Sequence, residues 1–382
     1  RRSRPALTPV PILMGWMPPP DGIAMCQVGD AEVTTQEEAS MDEVSIVGVD
    51  LAKQVFQLHG AGPDGRVIFR KKLSRAQFAR FIASHARCTV AMEACGTAHY
   101  WGRLMASYGH DVRLIPPIYV KPFVKRQKND MADAEAIAEA ALRPTMRTVP
   151  VKTAEQQSRA MLFRTRELLV GQRTQLVNAL RGHLAEHGVI VAKGLGNLER
   201  LAAVIRDEAS VLPDLVRELG ALYLDQIEQV SGQIATLERR IAVAARDSEV
   251  VRRLRQVPGI GPICAMAVET FAPSMQTFQR GRDFAAWLGL VPRQHSTGGK
   301  QRLGRTSKRG QRDIHRLLIV GAMSVVHWKG RGGGRPGSWL ARMLAKKPKM
   351  LVAIALANKM ARTIWALLMR NEDYKDPKGA VC

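Results

Sequence analysis

The sequence predicts an α/β domain followed by a mostly helical remainder. Within residues 44–115, short β-rich apolar runs form a hairpin pattern and then alternate with amphipathic stretches, as in an α/β sheet. Two later stretches, 154–187 and 227–244, instead repeat apolar residues at helical spacings of three, four and seven. A chain of 382 residues is long enough for two or three such domains, each with its own core.

The α/β part is predicted to start with three strands joined as antiparallel hairpins and to continue as alternating helices and strands. The turn Gly62-Pro63-Asp64-Gly65 joins the second and third strands. An Ala-rich helix ending near Leu142 follows, capped by Asn129 or Asp130. The predicted strands are 44–52, 54–59, 66–71, 88–92, 111–115 and a strand-like 146–151, and the predicted helices between them are 74–85 and 98–108.

The remainder is predicted to be helical. The long helices 154–187 and 227–244 indicate either an antiparallel arm or oligomerisation stalk, or an ordinary helical-bundle core. Further helices are expected from residue 263, at 314–328 and at 349–370, with a flexible basic loop at 330–337. The domains expected are a disordered extension 1–43, an α/β domain 44–152, a helical or coiled-coil region 153–250, a C-terminal domain 251–374 and a disordered tail 375–382.

The charge balance predicts a polyanionic partner. Lys and Arg number 57 against 34 acidic residues, which gives a net charge of +23, so nucleic acid is favoured over a membrane surface. Apolar stretches are too short or too interrupted by charge to span a bilayer, and the short apolar run 10–16 is broken by proline, unlike a signal peptide. Five scattered cysteines without CxxC spacing favour neither a disulfide framework nor a zinc site, so a reducing bacterial cytoplasm is expected, with Met41 as a possible natural start.

Four carboxylates are candidates for a metal site. Asp50 and Glu93 each end a predicted strand, and Asp130 and Asp133 share one face of the Ala-rich helix. Acids in a first helical turn also complement the helix dipole, so ordinary capping is the alternative reading. If the four converge, their repulsion calls for divalent cations, and two Mg²⁺ ions can serve phosphoryl transfer. Basic residues that could hold a phosphate chain lie just upstream, at Lys121, Lys125, Arg126 and Lys128.

Two later segments are candidates for contact with phosphates. The segment 258–262 (PGIGP) places Gly259 and Gly261 between two helices, as in helix-hairpin-helix DNA binders, although a plain turn between helices needs only one such glycine. Between Arg293 and Arg316 there are eight basic residues and one acid, Asp313, which predicts a phosphate-facing or solvated surface. The basic candidates there are Arg293, Lys300, Arg302, Arg305, Lys308 and Arg309.

Six motifs in order resemble those of one family. They are 47–53 (VGVDLAK), 92–96 (MEACG), 129–134 (NDMADA), 258–262 (PGIGP), 288–293 (LGLVPR) and 295–300 (HSTGGK). Together they resemble the DEDD transposases of the insertion-sequence 110 family, closest to its 1111 subgroup, to which the Piv DNA invertases are related. The resemblance covers about residues 44–374.

The resemblance implies a RuvC-like, RNase H-fold N-terminal domain whose metal-binding acids match Asp50, Glu93, Asp130 and Asp133. It implies a coiled-coil region and a C-terminal transposase domain whose serine nucleophile matches Ser296. It also implies guidance by a bridge RNA that pairs with donor and target DNA.

The residues around Ser296 are compatible with that role without selecting it. A serine hydroxyl needs activation by a base or a metal, and Arg293, Lys300 and Arg302 could balance phosphate charge. Thr297 and Ser307 are rival hydroxyls, and His295 could act as acid or base or merely contact phosphate.

The resulting hypothesis is a Mg²⁺-dependent DNA transposase or recombinase that forms a covalent phosphoserine and works as a homo-oligomer, a dimer or tetramer. One alternative is a Holliday-junction endonuclease of the RuvC type, in which metal-bound water cuts and Ser296 is structural. The other is an inactive nucleic-acid-binding relative.

Overall fold

The computed structural model describes residues 44–125, 130–307, 310–331 and 337–375, with backbone only at residues 130 and 329–331. Its N-terminal part is built on a five-stranded mixed sheet in the order β3-β2-β1-β4-β5. Strand β1 pairs antiparallel with β2 and parallel with β4. This mixed sheet is consistent with the RNase H-like domain that the resemblance implies. The strands are β1 (Ile46–Leu51), β2 (Val55–Ala61), β3 (Val67–Ser74), β4 (Thr89–Glu93) and β5 (Asp111–Ile115).

Helices cover both faces of this sheet. One apolar cluster packs Phe78 and Trp101 against Val47 and Val49 of β1. A second cluster packs the Ala-rich helix around Ile137 onto the opposite face. The sheet is therefore the middle layer of three. Its helices are α1 (Arg75–Ala83), α2 (Ala98–Ser107), the short α3 (Pro117–Val120) and α4 (Asp130–Leu142).

Two long helices form the middle of the chain, with a short helix between them. They are α5 (Ala154–Ala185), α6 (Leu198–Arg206) and α7 (Asp214–Ala244). The start of α5 packs near the end of α7, where Arg166 pairs with Glu238, whereas Leu184 near the end of α5 shares a cluster with Ile227. The two long helices therefore run antiparallel. Their use as an oligomerisation stalk stays a prediction.

The C-terminal part is helical around a single large apolar cluster, with one small hairpin on its surface. Helix α13 is long and apolar enough to cross a membrane by composition, but Val352, Ala357 and Ile364 are buried in this cluster. It is therefore a core helix. The elements are α8 (Glu249–Leu254), α9 (Pro262–Phe271), α10 (Gly281–Trp287), β6 (Pro292–Gln294), β7 (Leu303–Thr306), α11 (Arg312–Arg331), α12 (Trp339–Lys346) and α13 (Lys349–Arg370).

Several sequence expectations need correction. Residues 146–151 do not form a strand: a single β-bridge joins Val149 to Leu114, because Pro150 has no N–H to extend the ladder. Helices α6, α10 and α12 and the β6–β7 hairpin were not predicted. The basic loop begins later than expected, since α11 continues to Arg331. The expected disorder of 1–43 and 376–382, the cap at Asn129, and residues 332–336 of the loop lie outside the described residues.

Candidate active site

The ends of β1 and β4 bring two of the four candidate acids together. Val49 is paired with Met92 in the parallel register, so the next residues along, Asp50 and Glu93, are neighbours at the same sheet edge. Side chains alternate along a strand, so Asp50 lies on the same face as Ile46, which belongs to the α4 side of the sheet. Both carboxylates are half-buried. The strand pairing that the sequence could not specify thus places them beside each other.

Helix α4 crosses directly over β1 and brings Asp133 to the same corner. A Cβ built on Gly48 would lie 2.3 Å from the carbonyl oxygen of Ala134 and 2.8 Å from Cβ of Ala138. Only glycine permits this approach, because a Cβ contact below about 3 Å forces the helix to move. Since Asp133 directly precedes Ala134, it lies where α4 meets the end of β1. The backbone of Asp130 lies one turn earlier, and its side chain is outside the described residues.

Asp133 is close enough to Glu93 to affect the ionisation of Glu93. Burial raises the pKa of Glu93, and the negative charge of Asp133 raises it further. Within the described side chains, no three His, Cys, Asp or Glu residues are gathered closely enough to hold a metal ion. Carboxylate oxygens are ligands that divalent cations accept, so an ion held by Glu93 and Asp133 would offset the repulsion that Glu93 experiences.

A further acid on α4, Glu135, was not singled out from the sequence. Its carboxylate accepts a hydrogen bond of 3.0 Å from Arg70 Nη2 on β3 and another from Lys125. The hydrogen bond from Lys125 is the main cause that lowers the pKa of Glu135. His59 is buried nearby, and burial lowers its pKa. Glu135 therefore ties α4 both to the sheet and to the segment that precedes the acidic pair.

We expect Glu135→Gln to destabilise the fold by about 0.5–1 kcal/mol, the screened value of a partly exposed ion-pair network. A matched control is Glu139→Gln on the same helix, which removes an exposed pair with Arg143 four residues on and should cost about 0.3 kcal/mol. Urea unfolding of both variants measures the difference, which should shrink in 1 M salt. Equal losses for the two variants would show that Glu135 does no more than an ordinary surface pair.

The basic candidates beside α4 are only partly described. Lys121 is exposed in a short 3₁₀ turn. Lys125 is paired with Glu135, while its side chain stays 70% exposed. Arg126 and Lys128 lie outside the described residues. Contact of this group with nucleic acid stays a prediction.

Ser296 lies on the β6–β7 hairpin, two residues before its turn. Its Oγ accepts a hydrogen bond of 3.2 Å from the backbone N–H of Arg302, and the N–H of His295 donates to the Arg302 carbonyl at 2.8 Å. Gly298 and Gly299 have φ values of 55° and 75°, as a tight two-residue hairpin turn requires. Ser296 is therefore part of a hydrogen-bonded hairpin.

The hairpin presents a strongly basic, exposed surface. The acid of this stretch, Asp313, is withdrawn into an ion pair of 3.1 Å with Arg164 of α5, so it does not offset the hairpin charge. His295 packs against Gly304, where an added Cβ would lie 3.0 Å from its ring. Lys308 and Arg309 lie outside the described residues. The exposed cations of the hairpin are Arg293, Lys300, Arg302 and Arg305.

The two glycines of the PGIGP segment have different environments. Gly259 has a φ of 89°, and a Cβ there would lie 2.9 Å from the Gly321 carbonyl oxygen of α11. Helix packing thus explains why residue 259 is a glycine. The sequence alone had suggested close approach of a phosphate or a turn between helices as the reason. Gly261 is exposed, has open space around it and directly precedes Pro262 at the start of α9. Phosphate contact stays a prediction for Gly261 and has no separate support at Gly259.

Comparisons with known proteins show to which family the chain is similar. A model of DEDD transposases of the IS110 type matches residues 47–188, which contain the acids, and the model described as "Transposase IS116/IS110/IS902 family" matches residues 251–334, which contain Ser296. A probable family 20 transposase of Pseudomonas aeruginosa is 48% identical over 87% of this chain and 99% of its own length. The transposase for insertion sequence element IS1111A of Coxiella burnetii is 39% identical over 94% of this chain and 99% of its own length.

The pilin gene-inverting protein of Moraxella bovis is a more distant relative, 24% identical over 74% of this chain and 80% of its own length. The resemblance drawn from the six motifs is thereby confirmed, including its relation to DNA invertases. The two transposases above, 48% and 39% identical over 87% and 94% of this chain, leave no room for a different family. The chain belongs to the IS116/IS110/IS902 family of insertion-sequence transposases.

Proposed function

We propose that this transposase cuts and rejoins DNA through a covalent phosphoserine at Ser296, assisted by Mg²⁺ bound to Asp50, Glu93, Asp130 and Asp133. The observation that carries the proposal is the exposed position of Ser296 on a hydrogen-bonded hairpin, close to its turn and among exposed cations. A phosphodiester attracted to this surface would meet the serine hydroxyl first. Cationic side chains there would offset the charge that develops on the phosphate.

The proposed reaction is an exchange of ester bonds. The Ser296 hydroxyl loses its proton and its Oγ forms a bond to phosphorus, while the bond from phosphorus to a deoxyribose oxygen breaks and that oxygen takes up a proton. A strand hydroxyl from the other site then attacks the phosphoserine, forms the new phosphodiester and returns the proton to Ser296. The Arg302 N–H already donates to Oγ, so the serine proton remains available for a base. His295, the preceding residue, is a candidate for that base.

Magnesium would supply charge stabilisation at the phosphate and the leaving oxygen. Asp50 and Glu93 would hold it from the strand ends, and Asp133 and Asp130 from the helix. The raised pKa of Glu93 is consistent with this, since burial raises it first and the negative charge of the nearby Asp133 raises it further. The acids and Ser296 belong to different parts of the fold, so they would meet at one phosphate by domain movement or from two subunits.

Glu93→Gln tests the metal site by stability. The folded state raises the pKa of Glu93, so its ionised form destabilises the fold at neutral pH, and the variant without Mg²⁺ should melt about 1–3 °C higher than the parent. Added Mg²⁺ should raise the Tm of the parent and raise that of Glu93→Gln less. Glu228→Gln, at an exposed position on α7, is the control and should respond to Mg²⁺ as the parent does. An equal Mg²⁺ response in Glu93→Gln would exclude Glu93 as a ligand.

The covalent step is tested by trapping. The protein is incubated with element-end DNA, its RNA and Mg²⁺, then denatured, and DNA attached to protein is sought at Ser296 by mass spectrometry. The proposal expects an adduct. Cut DNA without an adduct would favour the Holliday-junction type of endonuclease, in which water is the nucleophile, and bound but uncut DNA would favour an inactive relative.

The proposed partners are donor and target DNA, a bridge RNA and further copies of the chain. The charge of +23 supports binding to more than one nucleic-acid strand. Self-association through the long helices is supported by exposed Leu215, Leu219 and Leu222, which recur at spacings of four and three on α7. RNA that co-purifies with the chain and maps to the ends of its element would establish guidance. The proposed location is the bacterial cytoplasm, at the nucleoid.

A further inference from the structure

A large groove lies between the β6–β7 hairpin, α12 and α13. It has a volume of about 1150 Å³, which is larger than the roughly 300–1,000 Å³ of pockets that take one drug-sized ligand. Its rim carries the exposed cations Arg305, Lys359 and Arg362, and none of the described residues that line it is Asp or Glu. Its floor is apolar and is formed by Leu290, Met350, Leu351, Ile354, Ala355 and Leu367.

One wall of the groove is the hairpin that carries Ser296. Gly304, Arg305 and Thr306 of β7 line the groove, and β7 begins one residue after Arg302, whose N–H holds the serine oxygen. At about 3.3 Å per strand residue, Arg305 lies roughly 10 Å along the strand from Arg302. A nucleic-acid strand whose phosphate meets Ser296 therefore has the groove within reach of its neighbouring nucleotides.

The groove also contains an aromatic ring beside a cation. The Lys359 ammonium lies 5.3 Å from the centre of the Trp339 ring. Trp339 is half-buried and lines the groove. Apolar and aromatic surface next to cations is what single-stranded nucleic acid requires, because bases stack on the first and phosphates pair with the second. A duplex cannot use the floor, since its base faces are already stacked, and an apolar peptide would have no use for an unopposed cationic rim.

We propose that this groove binds unpaired DNA, about two or three nucleotides next to the phosphate that Ser296 attacks. The inference rests on the proposed function for the choice of DNA, because the hairpin that forms its wall carries the nucleophile toward DNA. The groove separates the strand being exchanged from its complement, with bases on the floor near Trp339 and phosphates on Arg305, Lys359 and Arg362. Strand exchange needs such a holding site, because the cut end must remain single-stranded until it finds its new partner.

The test is binding of a fluorescent oligonucleotide of ten thymidines to the full chain without Mg²⁺, so that no cutting intervenes. Trp339→Ala should weaken binding about tenfold, which corresponds to one lost base stack of roughly 1.4 kcal/mol. Binding of a duplex should change less than about twofold, since charge rather than stacking governs it. The matched control is Trp328→Ala on α11, whose ring is 70% exposed and lies outside the groove lining; it should bind as the parent does.

Lys359→Glu provides a second variant that does not depend on a half-buried side chain. Lys359 is exposed, so the fold should tolerate the change, and the reversed charge should repel a phosphate at the rim. Lys346→Glu on α12 is the control, because Lys346 is exposed and does not line the groove. The proposal is supported if Lys359→Glu loses more affinity for the oligonucleotide than Lys346→Glu does.

Three outcomes would overturn the inference. If the two groove variants lose equal affinity for single-stranded and duplex DNA, the groove is part of a general basic surface. Tighter binding of the matching RNA, with the same sensitivity to both variants, would make it an RNA site. Unchanged binding in both variants, together with a change in oligomeric state, would make it an interface between copies. Because the assay involves no chemistry, the groove can stand even if no adduct forms at Ser296.

Discussion

Ser296→Ala is expected to lower the rate of strand exchange by at least about 10³-fold, as removal of a catalytic nucleophile does. No other atom of residue 296 can form the ester to phosphorus, so the covalent adduct should disappear together with the product. The measurement is joint quantification of recombined DNA and of protein-linked DNA from one reaction. Loss of the product with retention of the adduct would place the nucleophile elsewhere.

Thr297→Ala and Ser307→Ala are the matched controls. Both remove a hydroxyl from the same basic hairpin region, and both should retain activity within about tenfold if Ser296 is the nucleophile. Ser296→Ala should lose no more than about 1 kcal/mol of stability, because it removes one exposed hydrogen bond from Arg302. A Tm equal to that of the parent would exclude unfolding as the cause of inactivity. An active Ser296→Ala protein would refute the proposed mechanism.

The strand ends that carry Asp50 and Glu93 could be predicted from local pattern, because buried β-rich runs stand out in the sequence. Their adjacency could not, since it depends on the parallel pairing of β1 with β4 across an intervening hairpin and helix. Glu135 was missed for the same reason. Its partner Arg70 is 65 positions away, and no periodicity marks an ion pair between distant elements.

The C-terminal site was less visible in the sequence. Strands β6 and β7 have three and four residues, nearly all exposed, so they lack the apolar alternation by which strands are recognised. Ser296 itself was selected only by family resemblance, because Thr297 and Ser307 have equivalent local chemistry. At Gly259 the sequence left open whether the glycine serves phosphate contact or a turn between helices, and the structure adds a packing reason: the backbone of Gly321 in α11 leaves no space for a side chain.

Gly48→Ala is expected to destabilise the protein by about 3 kcal/mol, at the upper end of the range for overpacked cores. The added methyl group would lie 2.3 Å from the backbone oxygen of Ala134, and neither that backbone nor the Ala138 methyl group can rotate away. Helix α4 must therefore move off β1. The measurement is the midpoint of urea unfolding relative to the parent.

Gly96→Ala is the control for the general cost of replacing a glycine near this corner. Gly96 is exposed, lies three residues after Glu93, and a methyl group added to it would meet no heavy atom within 4 Å. Its substitution should change stability by no more than about 0.5 kcal/mol. Similar unfolding midpoints for the two variants would contradict the close crossing of α4 over β1.

Gly48→Ala also tests whether α4 places the acids, apart from its effect on stability. If α4 positions Asp130 and Asp133 against Asp50 and Glu93, its displacement should also reduce the rise in Tm on adding Mg²⁺, because the carboxylates no longer converge on one ion. Gly96→Ala should show the same rise in Tm on adding Mg²⁺ as the parent protein. A Gly48→Ala protein that is destabilised but keeps the parent's Mg²⁺ response would show that the metal is held without the helix, and would assign Asp130 and Asp133 to helix capping alone.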